Sequence, residues 1–168
     1  MLFNLTSGIE KILCVCFIFV PLTLASTQVS WENCNNDGDS IKLLNLTLTP
    51  YPIIIPGPIS IEATVHTDQD VTGPIKLDLT LHKKILFSYV SVPCVSGIGS
   101  CSYDDLCTLC PQCGCPLKAG DHAVTLSVNI YASSWALIGY YQGKVDIKTS
   151  SGQKACARFD NVHIKSSR

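Results

Sequence analysis

Apolar and polar residues alternate along most of the chain beyond its first thirty positions, and this alternation constrains the fold more than any other feature. A period of two over five or more residues indicates β-strands with one face buried and one face in water. It is clearest in Leu44–Thr49, Ile61–His66, Ile75–His82, Val124–Ile130 and Lys144–Lys148. In the first of these, Leu44, Leu46 and Leu48 are expected on the buried face. Glycine and proline between the segments predict turns, so we expect an antiparallel sandwich or barrel of about seven or eight strands.

The N-terminal 25 residues have the composition of a secretory signal peptide. Lys11 precedes an apolar run from Ile12 to Leu24, and Ala25 provides a small residue for cleavage. The run is shorter than the roughly 20 residues that a membrane-spanning helix needs. We therefore expect a signal peptide over residues 1–25 and one domain over residues 26–168, with an uncleaved N-terminal anchor as the alternative.

Cysteine content indicates a disulfide framework. The chain has 10 cysteines, and removal of the signal peptide would remove Cys14 and Cys16. The number that remains is even, as expected for a secreted protein whose cysteines are all paired. Four fall within residues 107–115, where a zinc site and a redox Cys-x-x-Cys motif are the alternatives. An oxidising compartment favours disulfides, so we expect neither a metal nor a cofactor. The remaining cysteines are Cys34, Cys94, Cys101, Cys107, Cys110, Cys113, Cys115 and Cys156, and sequence alone leaves their pairing open.

Charge and motif content exclude several classes of function. The net charge is −1 with no basic stripe, which argues against nucleic acid as a partner. No nucleophile elbow, zinc-protease motif or phosphate-binding glycine loop is present, so we expect no catalytic residues and no enzyme. The four histidines are expected to be solvated strand residues. Asn45 begins an Asn-Leu-Thr sequon on the polar side of its strand and is the predicted glycosylation site.

Two apolar stretches fall where polar connections between strands are expected. They are Ile85–Tyr89 and Ser134–Tyr141. Exposed apolar clusters of this kind mark a partner, a membrane or the opening of a ligand site, and ordinary core with an irregular backbone is the alternative. The candidate residues are Ile85, Leu86, Phe87, Tyr89, Trp135, Leu137, Ile138 and Tyr140.

Several short motifs occur in an order that resembles one known family. They are Trp31–Cys34, Thr49–Gly57, Val92–Cys101, Cys113–Gly120 and Ser134–Trp135. Together they resemble the ganglioside-activator branch of the MD-two-related lipid-recognition (ML) family, a group of sphingolipid activators. The similarity covers nearly all of the chain that follows the signal peptide.

The resemblance implies an all-β, antiparallel Ig-like β-sandwich that is opened into a lipid-binding cup. In such a fold, Ile85–Tyr89 corresponds to an apolar loop and Trp135 to an exposed tryptophan beside the cup. The implied partners are a glycosphingolipid or phospholipid, a transiently contacted membrane and a glycoside hydrolase, in a secreted or lysosomal protein. The implied disulfides pair Cys34 with Cys156, Cys94 with Cys101, Cys107 with Cys115, and Cys110 with Cys113.

One segment departs from the family pattern, and a rival hypothesis remains. The segment Cys107–Cys113 is much shorter than the helical segment of the family, so the rim of the cup is expected to differ. The rival is a secreted adhesion or signalling sandwich that binds a protein through the same apolar loops, and a hydrolase is a third possibility. A closed sandwich packs densely and leaves no room for a lipid. A hollow between the two sheets would therefore decide between the hypotheses.

Overall fold

The computed structural model describes residues 28–34, 38–131 and 135–167, and of Gln112 and Trp135 it describes the backbone. These residues form two packed β-sheets, which confirms the all-β sandwich. The predicted signal peptide, residues 1–25, lies outside the described residues. Within the described ranges, no helix has the length and apolar character needed to cross a membrane.

The described residues form ten strands and one short helix. The helix, α1, spans Leu106–Leu109, and single 3₁₀ turns lie at Pro111–Cys113 and Trp135–Leu137. The strand number exceeds the predicted seven or eight because β3, β6 and β7 have only 3, 4 and 2 residues, too few for alternation to be visible. The strands are β1 Ser30–Asn33, β2 Ile41–Thr49, β3 Ile53–Ile55, β4 Gly57–Thr67, β5 Ile75–Ile85, β6 Ser88–Ser91, β7 Ser102–Tyr103, β8 Gly120–Ile130, β9 Gly139–Thr149 and β10 Lys154–Ser166.

The strands are divided unequally between the two sheets. Sheet A has the order β1-β10-β9-β5-β6, with β3 beside β10 and β7 beside β5, and sheet B has the order β2-β4-β8. All pairings are antiparallel except that of β3 with β10. Alternate residues of each strand therefore face the other sheet, and sheet B covers only part of the wider sheet A.

One edge of the sandwich is closed by direct contact between the sheets. Strand β2 of sheet B packs against β1 and β10 of sheet A. The Asn33 side-chain amide donates to the Leu43 carbonyl at 2.8 Å, and its oxygen accepts from the Leu43 backbone N–H at 2.9 Å. The Tyr51 hydroxyl adds a hydrogen bond to the Asn161 carbonyl. These bonds fix the spacing of the two sheets along the β2 edge.

The opposite edge is bridged by the short segment around α1 instead of by strand pairing. Asp105 caps α1 and also accepts a hydrogen bond from the backbone N–H of Ile75 on β5, at 3.1 Å. The bond from Ile75 lowers the pKa of Asp105, and so do hydrogen bonds from the Cys107 backbone N–H and the Thr108 hydroxyl. Burial raises this pKa, but the net shift is downward. On the other side, the Cys110 sulfur lies 3.9 Å from the Thr125 carbonyl of β8. The α1 segment thus joins the two sheets where their strands do not meet.

All four disulfides pair as the family resemblance implied. They are Cys34–Cys156, Cys94–Cys101, Cys107–Cys115 and Cys110–Cys113. The four cysteines of residues 107–115 are bonded to one another, so none is a free thiolate for a metal. The first bond links the residue after β1 to β10, and the last two hold the α1 segment in shape.

Leu44 corrects one detail of the sequence-based expectation. It was predicted on the buried face of β2, but it is 47% exposed. Strand β2 has a bulge between Leu43 and Asn45 where it pairs with β4, and the extra residue reverses the alternation before it. Leu43 faces inward instead, while Leu46 and Leu48 keep the predicted orientation.

We expect the Cys34–Cys156 bond to stabilise the fold more than the Cys94–Cys101 bond. Their sequence separations are 122 and 7 residues, which in the chain-entropy account correspond to about 5 and about 2.5 kcal/mol. Urea unfolding of the two double Cys→Ala variants should therefore show the larger loss for the pair at 34 and 156. Equal losses would show that loop length does not govern these bonds.

Candidate functional site

The interior of the sandwich has two separate clusters of buried residues in place of one continuous core. The first lies where β3, β4, β9 and β10 meet, and the second lies at the opposite end, below α1. Both are closely packed and apolar. The first cluster comprises Val29, Ile53, Ile55, Ile59, Tyr141 and Val162, and the second comprises Ile41, Val71 and Ile75.

Between the two clusters, the inward-facing residues of both sheets are only half-buried. Among the described residues, those in this central band belong to neither cluster. In a filled sandwich, the centre of the two inner faces would be the most buried part of the protein. The partial exposure therefore indicates an apolar space between the sheets, which we call the hollow. It is lined by Leu77 and Leu79 of β5, Val145 of β9, and Val124, Leu126 and Val128 of β8.

Gly143 and Phe159 form the boundary between the first cluster and the hollow. Gly143 lies beside Phe159 of β10 on the inner face of sheet A. A Cβ atom on Gly143 would lie 2.4 Å from Phe159 Cζ and 2.5 Å from the Thr80 carbonyl oxygen, so no larger residue fits. Phe159 packs against the first cluster. The residues that line the hollow lie on the other side of Phe159, towards the second cluster.

Strands β5 and β6 end in an apolar hairpin at the same end of the sandwich as the β8–β9 connection. Ile85 pairs with Ser88 and encloses a two-residue turn of Leu86 and Phe87. Leu86 is 83% exposed and Phe87 is fully exposed. Leu86 has φ = 54°, a left-handed conformation that a bulky residue rarely adopts. An apolar side chain held in water on a strained turn is a signal of function.

The strands of this hairpin extend the apolar inner face of sheet A beyond the first cluster. Ile85 and Val90 lie on the same face as Leu81, and both are 49% exposed. Tyr89 pairs with Lys84 and lies on the outer face. Sequence reasoning missed Val90, although Val90 and Val92 on either side of Ser91 were a short period-two signal for it. We call residues 85–90 the apolar tip.

The second predicted stretch is divided between the first cluster and the surface. Leu137 packs against the first cluster, and its carbonyl accepts a hydrogen bond of 2.7 Å from the Tyr141 hydroxyl. Ile138 is 36% exposed beside it, and Tyr131 at the end of β8 is 85% exposed, which sequence reasoning did not anticipate. The side chain of Trp135 lies outside the described residues, so its predicted place beside the cup stays a prediction.

Tyr140 lies on the outer face of sheet A, away from the hollow. It stacks on His163 of β10 with ring centroids 4.1 Å apart and an interplanar angle of 18°. Burial lowers the pKa of His163, and the charge of Lys165 lowers it further. The expectation of simply solvated histidines is therefore wrong at this position, because His163 is half-buried under a ring.

A second exposed apolar turn lies in the loop that the Cys94–Cys101 bond closes. Val95 and Ile98 bond to each other across a tight turn of Ser96 and Gly97, both of which have positive φ angles, of 51° and 77°. Val95 is 63% exposed and Ile98 is 38% exposed. The sequence signal was a serine–glycine pair between two aliphatic residues, which sequence reasoning overlooked.

A groove with charged residues on the outer face of sheet A is distinct from the hollow. Its volume is about 540 Å³, and its lining carries both signs of charge, from Glu32, Lys144, Arg158 and Asp160. The Arg158 guanidinium lies 3.8 Å from the Glu32 carboxylate, so the charges are partly paired within the groove.

Asn45 of the predicted sequon is exposed on β2, opposite Thr64 of β4. Its side chain lies on the face of sheet B that is turned away from sheet A. A glycan at this position would extend into solvent without displacing either strand, and its presence stays a prediction.

Comparison with known proteins gives consistent results. The profile of the ML domain matches residues 28–163. The chain is 31% identical over 152 residues to the mouse ganglioside GM2 activator, and the alignment covers 77% of this chain and 79% of that protein. It is 26% identical over 150 residues to a Dictyostelium discoideum protein named for phosphatidylglycerol/phosphatidylinositol transfer, covering 89% and 96%. A Niemann-Pick type C2 protein from the Japanese carpenter ant has a similar fold, with a TM-score of 0.54, 16% identity, and 81% and 99% coverage.

The free energy of unfolding should decrease as the pH falls below 6.5, the ordinary pKa of histidine, in part through His163. Because its folded-state pKa is lowered, the unfolded chain binds this proton more readily, and the loss levels off below the lowered value. His163→Phe keeps a ring beside Tyr140 without the proton. Urea unfolding at about pH 7 and about pH 5 should show a weaker pH dependence in the variant, and an identical dependence would contradict the assignment.

Proposed function

Because this chain belongs to the ML-domain family, we propose that it is a lipid carrier that holds acyl chains in the hollow between its two sheets. Members of the family are lipid-binding proteins without enzymatic activity. The observation that carries the proposal is the half-buried central band, in which six apolar side chains from β5, β8 and β9 line a space that belongs to neither cluster. A solid-core adhesion sandwich would not leave those side chains exposed.

The energetics of the hollow favour an acyl chain over water. Each methylene group that moves from water to apolar surroundings gains roughly 0.8 kcal/mol. A lipid already in a bilayer gains little from this transfer, because the bilayer interior is also apolar. Extraction must therefore draw on contacts of the protein with the membrane surface and with the lipid headgroup.

The apolar tip supports contact with a membrane. Leu86 and Phe87 are 83% and 100% exposed at the end of a two-residue turn, and Ile85, Tyr89 and Val90 behind them are 42–49% exposed. Apolar and aromatic side chains in such a position gain free energy when they enter the interfacial region of a bilayer. The inner face of the tip adjoins the first cluster, at the same end of the sandwich as the β8–β9 connection.

The finer features of this function are also proposals. The predicted signal peptide and the four disulfides support secretion, with delivery to a lysosome as one destination. The identity with the mouse ganglioside GM2 activator supports a glycolipid as cargo and a glycoside hydrolase as a partner to which it is presented. The short Cys107–Cys113 segment means that such a partner would meet a different surface from that of longer family members.

Leu126→Trp should block the hollow and weaken lipid binding. Leu126 is half-buried at the centre of β8, and the larger ring would occupy space that the acyl chain needs. Exclusion of two methylene groups costs roughly 1.6 kcal/mol, which corresponds to more than tenfold weaker binding. Displacement of a polarity-sensitive fluorescent fatty acid measures this change.

Ser127→Trp is the matched control for that variant. Ser127 is the next residue of β8, it is exposed, and it lies on the opposite face of sheet B. Lipid affinity should equal that of the wild type in this variant, and both variants should show the same far-UV circular dichroism. A folded Leu126→Trp protein with undiminished affinity would refute the hollow as the binding site.

Replacement of Leu86 and Phe87 by serine should slow lipid extraction from vesicles without altering affinity for a lipid supplied in monomeric form. Both side chains are exposed, so the fold should persist, while loss of their insertion should slow extraction by roughly tenfold or more. Leu109→Ser, an exposed leucine on α1, is the control and should leave the rate unchanged. Equal rates in all three proteins would remove the tip from the mechanism.

A further inference from the structure

The groove on the outer face of sheet A crosses the four strands β1, β10, β9 and β5. Its floor is the backbone of three cross-strand neighbours, Trp31, Phe159 and Gly143, whose row alternates to the inner face. The outward-facing rows on either side of this floor form two walls of side chains. Neighbouring strands are about 4.8 Å apart and the two rows about 7 Å apart, so the groove is roughly 14 Å long. With a volume of about 540 Å³, it has the dimensions of a site for a small ligand.

The first wall is a single cross-strand row of polar side chains. In order across β1, β10, β9 and β5, it contains Glu32, Arg158, Lys144 and Thr80. The Arg158 guanidinium and the Glu32 carboxylate are 3.8 Å apart, beyond hydrogen-bond distance, and their side chains are 61% and 69% exposed. A group that donates and accepts at once would therefore gain two hydrogen bonds by entering between them.

The second wall is shaped by a bulge in β10. The register of β10 with β9 shifts between Phe159 and Val162, so Asp160 and Asn161 both become exposed. Asn161 has φ = 61°, and its carbonyl accepts a hydrogen bond from the Tyr51 hydroxyl. The Asp160 carboxylate accepts from the Asn161 backbone N–H at 2.6 Å, which holds it at the edge of the groove. Bulges often re-aim a side chain beside a functional site, and here the side chain is an acceptor.

The described residues of the groove supply donors and acceptors with little net charge. The cations are Arg158 and Lys144, and the carboxylates are Glu32 and Asp160. Lys144 also pairs with Asp146 at 2.9 Å. An anionic ligand would meet the two carboxylates, and a cationic ligand would meet the two cations, so neither gains much from the groove. A neutral ligand with many hydroxyl groups avoids both penalties, because each hydroxyl donates to a carboxylate and accepts from a guanidinium.

We propose that this groove binds a neutral carbohydrate, with sugar hydroxyl groups that bridge Arg158 and Glu32 and reach Asp160. Adjacent hydroxyls of a sugar ring match the paired atoms of planar carboxylate and guanidinium groups. The C–H faces of the ring would pack on the aliphatic stems of Arg158 and Lys144. Sheet A lies between the groove and the hollow, so this site is separate from the proposed lipid site and does not depend on it.

An array of oligosaccharides probes this site with purified wild-type protein. It carries neutral chains of glucose, galactose, mannose and their N-acetyl derivatives, together with sialylated and sulfated chains of the same length. The protein should bind a subset of the neutral chains. Binding of no chain, or a preference for the sialylated or sulfated chains, would overturn the proposal.

The neutral chain that binds most strongly is then titrated in solution by calorimetry. Arg158→Ala should weaken its affinity about tenfold or more, because a hydrogen bond to a charged group is lost. Glu32→Gln, which keeps the size of the side chain, should weaken it as well. Lys154→Ala is the matched control, since Lys154 is exposed on the same face of β10, outside the groove, and its loss changes the net charge equally. Equal affinity in all these folded proteins would show that the sugar binds elsewhere.

Such a sugar occurs on glycolipids and on soluble or protein-linked glycans, and one further variant distinguishes these sources. Leu126→Trp, which is designed to block the hollow, should bind the free oligosaccharide as the wild type does. Binding only of a lipid-linked sugar, with loss in Leu126→Trp, would make the sugar the headgroup of a lipid in the hollow and would refute the groove. If the wild type binds the free oligosaccharide but no lipid, only the lipid-carrier proposal fails.

Discussion

The structure depends on how the spacing between its two sheets is held. Contacts along β2, through Asn33 and Leu43, fix one edge, and the α1 segment, through Asp105 and Cys110, bridges the other. Apolar packing is concentrated in two clusters at the two ends of the interior. The centre can then remain unfilled without collapse, because the sheets are fixed around it.

The exposure of the apolar tip follows from the same arrangement. Sheet A has more strands than sheet B, and among the described residues β6 pairs with β5 alone. Ile85 and Val90 therefore retain half of their surface, and Phe87 retains all of it. A protein that needed these residues for stability would have buried them. Their exposure and the strained turn at Leu86 instead support a role in contact with a membrane.

Alternation in the sequence predicted the sandwich, because the period of two is a local pattern. Family resemblance predicted all four disulfides, because the order and spacing of the cysteines along the chain match those of the family. The bulge at Leu44 and the short strand with Val90 were not predicted, since the pairing of distant strands determines them. The apolar segment Ile85–Tyr89 was identified from its composition. The division of its residues between the inner and outer faces of sheet A was not predicted. The inner-face position of Lys83 follows from the same period of two as Leu79 and Leu81, but its contact with the Ala136 carbonyl depends on the fold of the β8–β9 connection and was not predicted.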